Sequence, residues 1–265
     1  LQKEGAMALV TGASSGIGLA YARELARRGY DLLLVSNEQE QIGTVAEELA
    51  AAFGVKTIPL CMDLARSEAA RELYEYCERE KLQIGILVNN AGIFFFDELT
   101  EVAPERIETM LLLHIRTVTL LCRYFGAAMK RRRAGYILNM SSLSAWTPAP
   151  GISVYAASKS YIRKFSQMLR YELHQYGVGV TTVCPGAIAT GLYNLSDYYQ
   201  RLALRLGVMM KPERLARKGL RAMFARRDYI LPGAVNRFFV LALYLLPVQL
   251  IYYIKEHTKL YRYGR

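Results

Sequence analysis

Six short apolar runs, at residues 7–10, 32–35, 57–60, 84–88, 136–140 and 178–183, recur along the chain with stretches of helical composition between them. An uninterrupted apolar run has no polar face to offer water, so each predicts a strand buried on both sides, as in a parallel sheet covered by helices. Strands alternating with helices are joined by right-handed crossovers, which predicts an α/β fold: a doubly wound parallel sheet in a three-layer αβα arrangement. A ligand in such a fold lies across the carboxyl ends of the strands.

The first run leads into Thr11-Gly12-Ala13-Ser14-Ser15-Gly16-Ile17-Gly18, and a helix is predicted over residues 17–28. A strand, a glycine turn and a helix in that order make an anion site, because the turn needs backbone angles that a Cβ disfavours and the main chain must approach a pyrophosphate at the helix N-terminus. Three residues separate Gly12 from Gly16. That spacing differs from the G-x-G-x-x-G fingerprint, so the motif alone also admits a purely structural turn.

A second cluster lies beyond the fifth apolar run. Tyr155 and Lys159 stand four residues apart in a helix predicted over residues 154–171, so both side chains project from one face. A phenol beside an ammonium ionises more readily, because the positive charge favours the phenolate. Ser142, just past residues 136–140, is placed to hold a carbonyl or hydroxyl oxygen, and the three residues read as a general acid with an orienting donor. Tyr-x-x-x-Lys alone is common on helix surfaces. Its weight comes from the order of the parts: the glycine turn, then Asn89-Asn90-Ala91-Gly92, then Ser142, then Tyr155-Ala156-Ala157-Ser158-Lys159.

In this order the sequence resembles the classical short-chain dehydrogenase/reductase family, closely over residues 5–190 and loosely beyond. The resemblance implies a Rossmann-like fold in which Gly12, Ser14, Ser15, Gly16, Ile17 and Gly18 bind a nicotinamide dinucleotide. It also implies that Asn89, Ala91 and Gly92 belong to a strand-end element beside the cofactor and that Asp63 is the acid near the adenine. Ser142 then orients the substrate, Tyr155 is the acid/base, and Lys159 holds the cofactor ribose. Pro185, Gly186, Ile188 and Thr190, in a P-G-x-x-x-T segment, face the nicotinamide. Many family members carry an asparagine in the helix after N-N-A-G, where it anchors a water that relays protons through the lysine; the matching position here is His114. Histidine donates and accepts hydrogen bonds, so His114 is a candidate catalytic residue, against the plainer reading of a satisfied histidine on an apolar helix face.

Cofactor preference turns on the end of the second run, Leu32-Leu33-Leu34-Val35-Ser36-Asn37. An acid there favours NAD through the ribose hydroxyls, and an arginine favours the 2′-phosphate of NADP. Ser36 and Asn37 are neutral donors that tolerate a phosphate, so NADP is preferred, with NAD as the other cofactor.

Charge and cysteine usage bear on partners and location. Lys and Arg number 34 against 23 Asp and Glu, a formal net charge of +11. Lys130-Arg131-Arg132-Arg133 closes a helix ahead of a strand, where cations suit the helix C-terminus, and no nucleic-acid motif accompanies this short cluster, so no nucleic-acid partner is expected. An anionic membrane surface fits better, because residues 238–254 (FFVLALYLLPVQLIYYI) carry no charge between Arg237 and Lys255. The run is at the short edge of a membrane span and Pro247 interrupts it, so a full crossing is not expected. It reads first as a cover for the substrate pocket or a subunit interface, and second as a peripheral contact with lipid headgroups. Cys61, Cys77, Cys122 and Cys184 lack metal-ligand spacing and are expected to be buried free thiols in a reducing compartment. No metal is expected, and no secretory leader is visible, which gives a cytoplasmic location, with membrane association through the C-terminal segment as its variant. The chain begins at Leu1 without Met, which leaves open what precedes it.

The motifs run from residue 11 to residue 190 and leave no room for an independent first domain, so residues 1–265 read as one domain in which 187–265 form the substrate loop and the apolar C-terminal segment. The expected activity is hydride transfer between NADP or NAD and a ketone or secondary alcohol. An apolar loop at residues 192–210 and the C-terminal run point to a lipophilic substrate: a 3-oxoacyl chain, a sphingoid ketone or a steroid. A homo-oligomer, dimer or tetramer, is expected. The alternative is a dinucleotide-binding scaffold or redox-sensing regulator without turnover. Intact Ser142, Tyr155 and Lys159 argue against it, since a pure binder has no need of the acid.

Overall fold

A computed structural model of the chain describes residues 6–147, 150–189 and 209–244, together with positions 204, 249 and 257. All six apolar runs form strands: β1 (Met7–Thr11), β2 (Leu32–Ser36), β3 (Thr57–Cys61), β4 (Ile84–Asn89), β5 (Gly135–Met140) and β6 (Val178–Val183). Two further short strands, β7 (Ala187–Ile188) and β8 (Met209–Met210), pair in parallel as a separate ribbon, and β9 (Tyr229–Ile230) adds a last strand to the main sheet. The order is β3-β2-β1-β4-β5-β6-β9, and every pairing is parallel. Chain order reverses between β1 and β4, which opens a crevice at the carboxyl ends of those two strands.

Helices close both faces. Over one face lie α1 (Gly16–Ala26), α2 (Gln39–Phe53) and α7 (Pro212–Phe224), packed on Ala8, Val10, Leu32, Leu34, Val88 and Leu138. Over the other lie α3 (Ala69–Arg79), α5 (Val118–Arg132) and α6 (Ser153–His174), packed on Leu9, Leu33, Val35, Leu87 and Ile137. Alternate residues of each central strand thus serve opposite cores, which is why the runs are apolar without a break. The last described helix is α8 (Ala234–Tyr244), and among the described residues no helix is long and apolar enough to cross a membrane.

Two details matter for the site. First, α4 (Pro104–Leu111) continues into α5 through a π-helical turn, Leu112–Thr117, with right-handed helical backbone angles on both sides, so the two helices form one rod with a single widened turn. Second, β5 and α6 are tied to β4 by a buried polar network. Asn89 Nδ2 donates to Asn139 Oδ1 at 2.8 Å, and Asn139 Nδ2 donates to Ser166 Oγ at 2.8 Å. The Cys122 thiol, pushed up to about 12 by burial, sits 3.3 Å from Asn89 Nδ2.

One expectation is corrected here. Cys77, Cys122 and Cys184 are buried, but Cys61 is exposed. It ends β3, the edge strand, where alternate side chains face solvent; the same edge position tolerates Pro59, whose missing N–H would be costly in a central strand.

Candidate active site

The turn after β1 is built by backbone geometry. Gly12 has φ +64°, and a Cβ there would stand 2.9 Å from Ala91 Cα, so the turn and the loop after β4 meet too closely for any side chain. Side chains fasten the contact. Thr11 Oγ1 accepts the N–H groups of Asn90 and Ala91, each at 3.0 Å, and Asn90 Nδ2 donates to the carbonyls of Thr11 and Gly12. Ser15 caps α1 from an extended conformation without a side-chain bond, which leaves the first N–H groups of the helix directed at the crevice.

The crevice is a cavity of about 840 Å³. Gly12, Ser14, Ser15, Gly16 and Ile17 line one end, with Ser36, Asn37 and Asp63 beside them. Ala91 and Gly92 form the floor, and Ser142, Tyr155, Lys159, Pro185, Gly186 and Ile188 form the other end. Three of the residues singled out from the sequence stand behind this wall. Gly18 is buried within α1, and Asn89 turns its amide into the core toward Asn139. His114 is fully buried beneath Gly92 and Tyr155. Thr190 and most of the loop at 192–210 lie outside the described residues.

At the glycine-turn end, the Ser36 hydroxyl donates to Ser14 Oγ at 2.9 Å and accepts the Glu38 N–H at 3.2 Å, so it is committed to the turn and Asn37 is the neutral donor left at this edge. Glu38 also lines the cavity, an acid one residue beyond the segment read from the sequence. Asp63 Oδ1 caps the following turn through the Ala65 N–H at 2.9 Å.

At the other end, α6 presents Tyr155 and Lys159 one turn apart. Lys159 Nζ lies 5.5 Å from the centre of the Tyr155 ring and donates to the Met140 carbonyl at 3.3 Å. Burial lowers the Lys159 pKa to about 8. The backbone of α6 is held here too, since Ser141 Oγ donates to the Lys159 carbonyl at 2.7 Å. Ser142 Oγ accepts the Ser144 N–H at 3.1 Å, an arrangement that leaves its own proton to donate into the cavity. The Phe94 ring meets Tyr155 edge-on at 5.0 Å and gives the phenol an apolar neighbour.

Sequence reasoning singled out His114 but missed the partners through which it supports this geometry. The Ile93 N–H donates to His114 Nε2 at 3.1 Å, and His114 Nδ1 lies 2.9 Å from Ser158 Oγ, which itself donates to the Tyr155 carbonyl at 2.8 Å. Burial and the nearby Lys159 ammonium hold the His114 pKa well below the usual histidine range. Gly92 makes room for the ring: a Cβ there would lie 2.9 Å from His114 Nε2.

A dinucleotide-sized crevice at the sheet reversal, with a buried lysine and a tyrosine one turn apart on its wall, is the site layout of a doubly wound nucleotide-binding fold. Residues 6–197 match the family model described as short chain dehydrogenase. The chain is 36% identical over 198 residues to the very-long-chain 3-oxoacyl-CoA reductase of Anas platyrhynchos, covering 72% of this chain and 62% of that protein. It is 32% identical over 206 residues to the inactive hydroxysteroid dehydrogenase-like protein 1 of Homo sapiens, covering 76% and 61% respectively. Among solved structures, a short-chain dehydrogenase from Sphingobium yanoikuyae in complex with NADPH superposes with a TM-score of 0.79 at 28% identity, covering 98% of each chain. The chain belongs to the short-chain dehydrogenase/reductase family of oxidoreductases. It spans about three fifths of the length of the curated relatives it matches.

Proposed function

We propose that this protein interconverts a lipophilic ketone and its secondary alcohol with NADP(H). The carrying observation is that Ser142, Tyr155 and Lys159 line the same cavity as the glycine turn. The relative named as a very-long-chain 3-oxoacyl-CoA reductase and the neighbour solved with NADPH support the substrate class and the cofactor.

The residues present fit the cofactor. The open N-terminus of α1 and the Gly12 turn would hold a pyrophosphate, Asn37 would tolerate a 2′-phosphate, Asp63 would serve the adenine end, and Lys159 would hold the ribose beside the nicotinamide. When bound, NADPH supplies the hydride. The protein's own part is to hold an oxygen and move a proton. Ser142 donates its hydroxyl proton to the substrate oxygen, Tyr155 Oη delivers a proton to that oxygen in reduction and removes it in oxidation, and the Lys159 ammonium favours the phenolate that results. Phe94 and the apolar run at 238–254 suit an alkyl or alicyclic body. His114, both of whose ring nitrogens are engaged, acts on this reading by positioning Tyr155.

A second reading, a dinucleotide binder without turnover, is favoured by the name of the human relative, which is called inactive. A screen of long-chain 3-oxoacyl, sphingoid and steroid ketones with NADPH and NADH separates the two, run beside Tyr155→Phe. Turnover that drops about 100-fold or more in the variant while NADPH still binds supports the reductase. Absence of turnover across the screen with intact NADPH binding supports the binder.

A further inference from the structure

Helix α7 is amphipathic, with opposed faces of unequal kind. Leu215, Ala216, Gly219, Leu220 and Met223 are buried against the sheet and α1. Outward, Arg214, Arg217, Lys218 and Arg221 are all exposed at positions i, i+3, i+4 and i+7, a single stripe. Glu213 is the one acid of the helix, and among the described residues no ion pair engages these four cations.

The stripe continues onto α1. Tyr21 packs into the notch at Gly219 and the Arg28 guanidinium lies 5.2 Å from the Phe224 ring centre, so the two helices run side by side in one direction. This adds exposed Arg23 and Arg27, while the buried Glu24 beneath is neutralised by Arg27 and Arg28 at 2.8 and 2.9 Å. Besides Glu213 and Glu24, the acids on the helices of this layer, Glu40, Glu47 and Glu48, stand on α2, beyond α1 from the stripe.

Beyond α7 and β9, α8 leaves apolar side chains bare. Val235 is 46% exposed and Phe238 74%, one turn apart, with exposed Arg237 between them. The uncharged run 238–254 begins at that phenylalanine. Cations beside bare apolar side chains match a headgroup layer; a nucleic acid or acidic protein would use the cations and leave Phe238 in water.

We propose that the basic face of α7 and α1 docks on an anionic lipid bilayer, joined by the bare side chains of α8, the next helix of the chain. This inference goes beyond the reductase reading and needs neither cofactor nor turnover. Each basic side chain near an anionic surface is worth about fivefold in partitioning, an effect that fades with salt.

The test is co-sedimentation of the full chain with vesicles of phosphatidylcholine alone or with about one third phosphatidylserine. Three proteins are compared: wild type; a variant with Arg214→Gln, Arg217→Gln, Lys218→Gln and Arg221→Gln; and a charge-matched control with Arg123→Gln, Lys130→Gln, Arg131→Gln and Lys164→Gln on the opposite layer. Wild type and control are expected to bind the phosphatidylserine vesicles in a salt-dependent manner, and the α7 variant at least about fiftyfold more weakly with an unchanged melting temperature. A second variant, with lysine at the three arginine positions, keeps the charge and retains binding. Equal binding by the α7 variant and the control, binding indifferent to phosphatidylserine, or tighter wild-type binding to duplex DNA at the same salt overturns the proposal.

Discussion

His114 Nδ1 and Ser158 Oγ lie 2.9 Å apart, and both side chains are fully buried. Because the Ile93 N–H occupies Nε2, the proton of the neutral ring sits on Nδ1 and is donated to Ser158, whose own proton goes to the Tyr155 carbonyl. The loop after β4 and the first turn of α6 are thereby fastened through one imidazole.

Replacing His114 with Leu strands the Ile93 N–H and loosens Ser158, at a cost of about 1–3 kcal/mol for each buried group left without a partner. The expected outcome is a lower kcat with NADPH affinity nearly retained. The pH dependence of stability should change as well. Native His114 stays neutral while the unfolded residue takes a proton near the ordinary histidine value of 6.5, so the wild type loses stability as pH falls below that value. Melting curves of His114→Leu should lack this acid loss. A variant with the wild-type acid slope would remove His114 from the account.

Lys159 gives a second window of the same sign, on the alkaline side. With its folded pKa at about 8 against the ordinary lysine value of 10.5, the unfolded chain holds more protons between those values, so stability rises with pH across that range and the cost of burying the charge is fully present below it. Lys159→Met should therefore be the more stable protein at neutral pH by about 1–3 kcal/mol, the advantage shrinking toward pH 10.5. Its turnover should be lost throughout. Cofactor-free melts of both proteins at several pH values check the sign, and wild-type turnover should itself decline as pH rises through about 8.

The central strands were legible because each is an apolar run buried on both faces, and β3 was legible as an apolar run although it lies half-exposed on the sheet edge. Tyr229–Ile230 was not: a two-residue strand offers no run, and it exists only because β6 exposes an unpaired edge to it. The same limit hid the support of the site. Tyr155 and Lys159 declared themselves by spacing within one helix, whereas Ser158 sits 44 residues from His114 and Asn139 sits 50 from Asn89, and no local pattern announces such pairs. Sequence reasoning likewise stopped at Asn37, one residue short of Glu38, which the loop after β2 brings to the cavity.

Asn37 is the place to alter cofactor choice. Asn37→Asp puts a negative charge where a 2′-phosphate would lie, and like charges a few ångströms apart near a surface cost on the order of 1–4 kcal/mol. The ratio of kcat/KM with NADPH to that with NADH should fall at least tenfold. An unchanged ratio would place the ribose elsewhere.

Truncation after Arg237 removes the apolar run while leaving every described cavity residue in place. Large side chains buried by that run would each contribute roughly 1.5–3 kcal/mol. If it shapes the substrate end, the shortened enzyme loses kcat/KM on long-chain ketones far more than on small ones. A chain length profile identical to that of the full protein would assign the run to another task.

The widened turn at Leu112–Thr117 carries a mechanical consequence. A regular α-helix advances about 100° per residue, so the one extra residue in that turn sets the azimuth of α4 relative to α5. Deleting a single residue there would let the rod close into an unbroken helix, yet it would swing Met110 and its neighbours on α4 off the Phe95 and Val102 cluster or carry His114 away from Ile93 and Ser158. The irregularity therefore works as a phase adjuster: it lets one continuous rod satisfy two packing surfaces whose spacings do not share a common period.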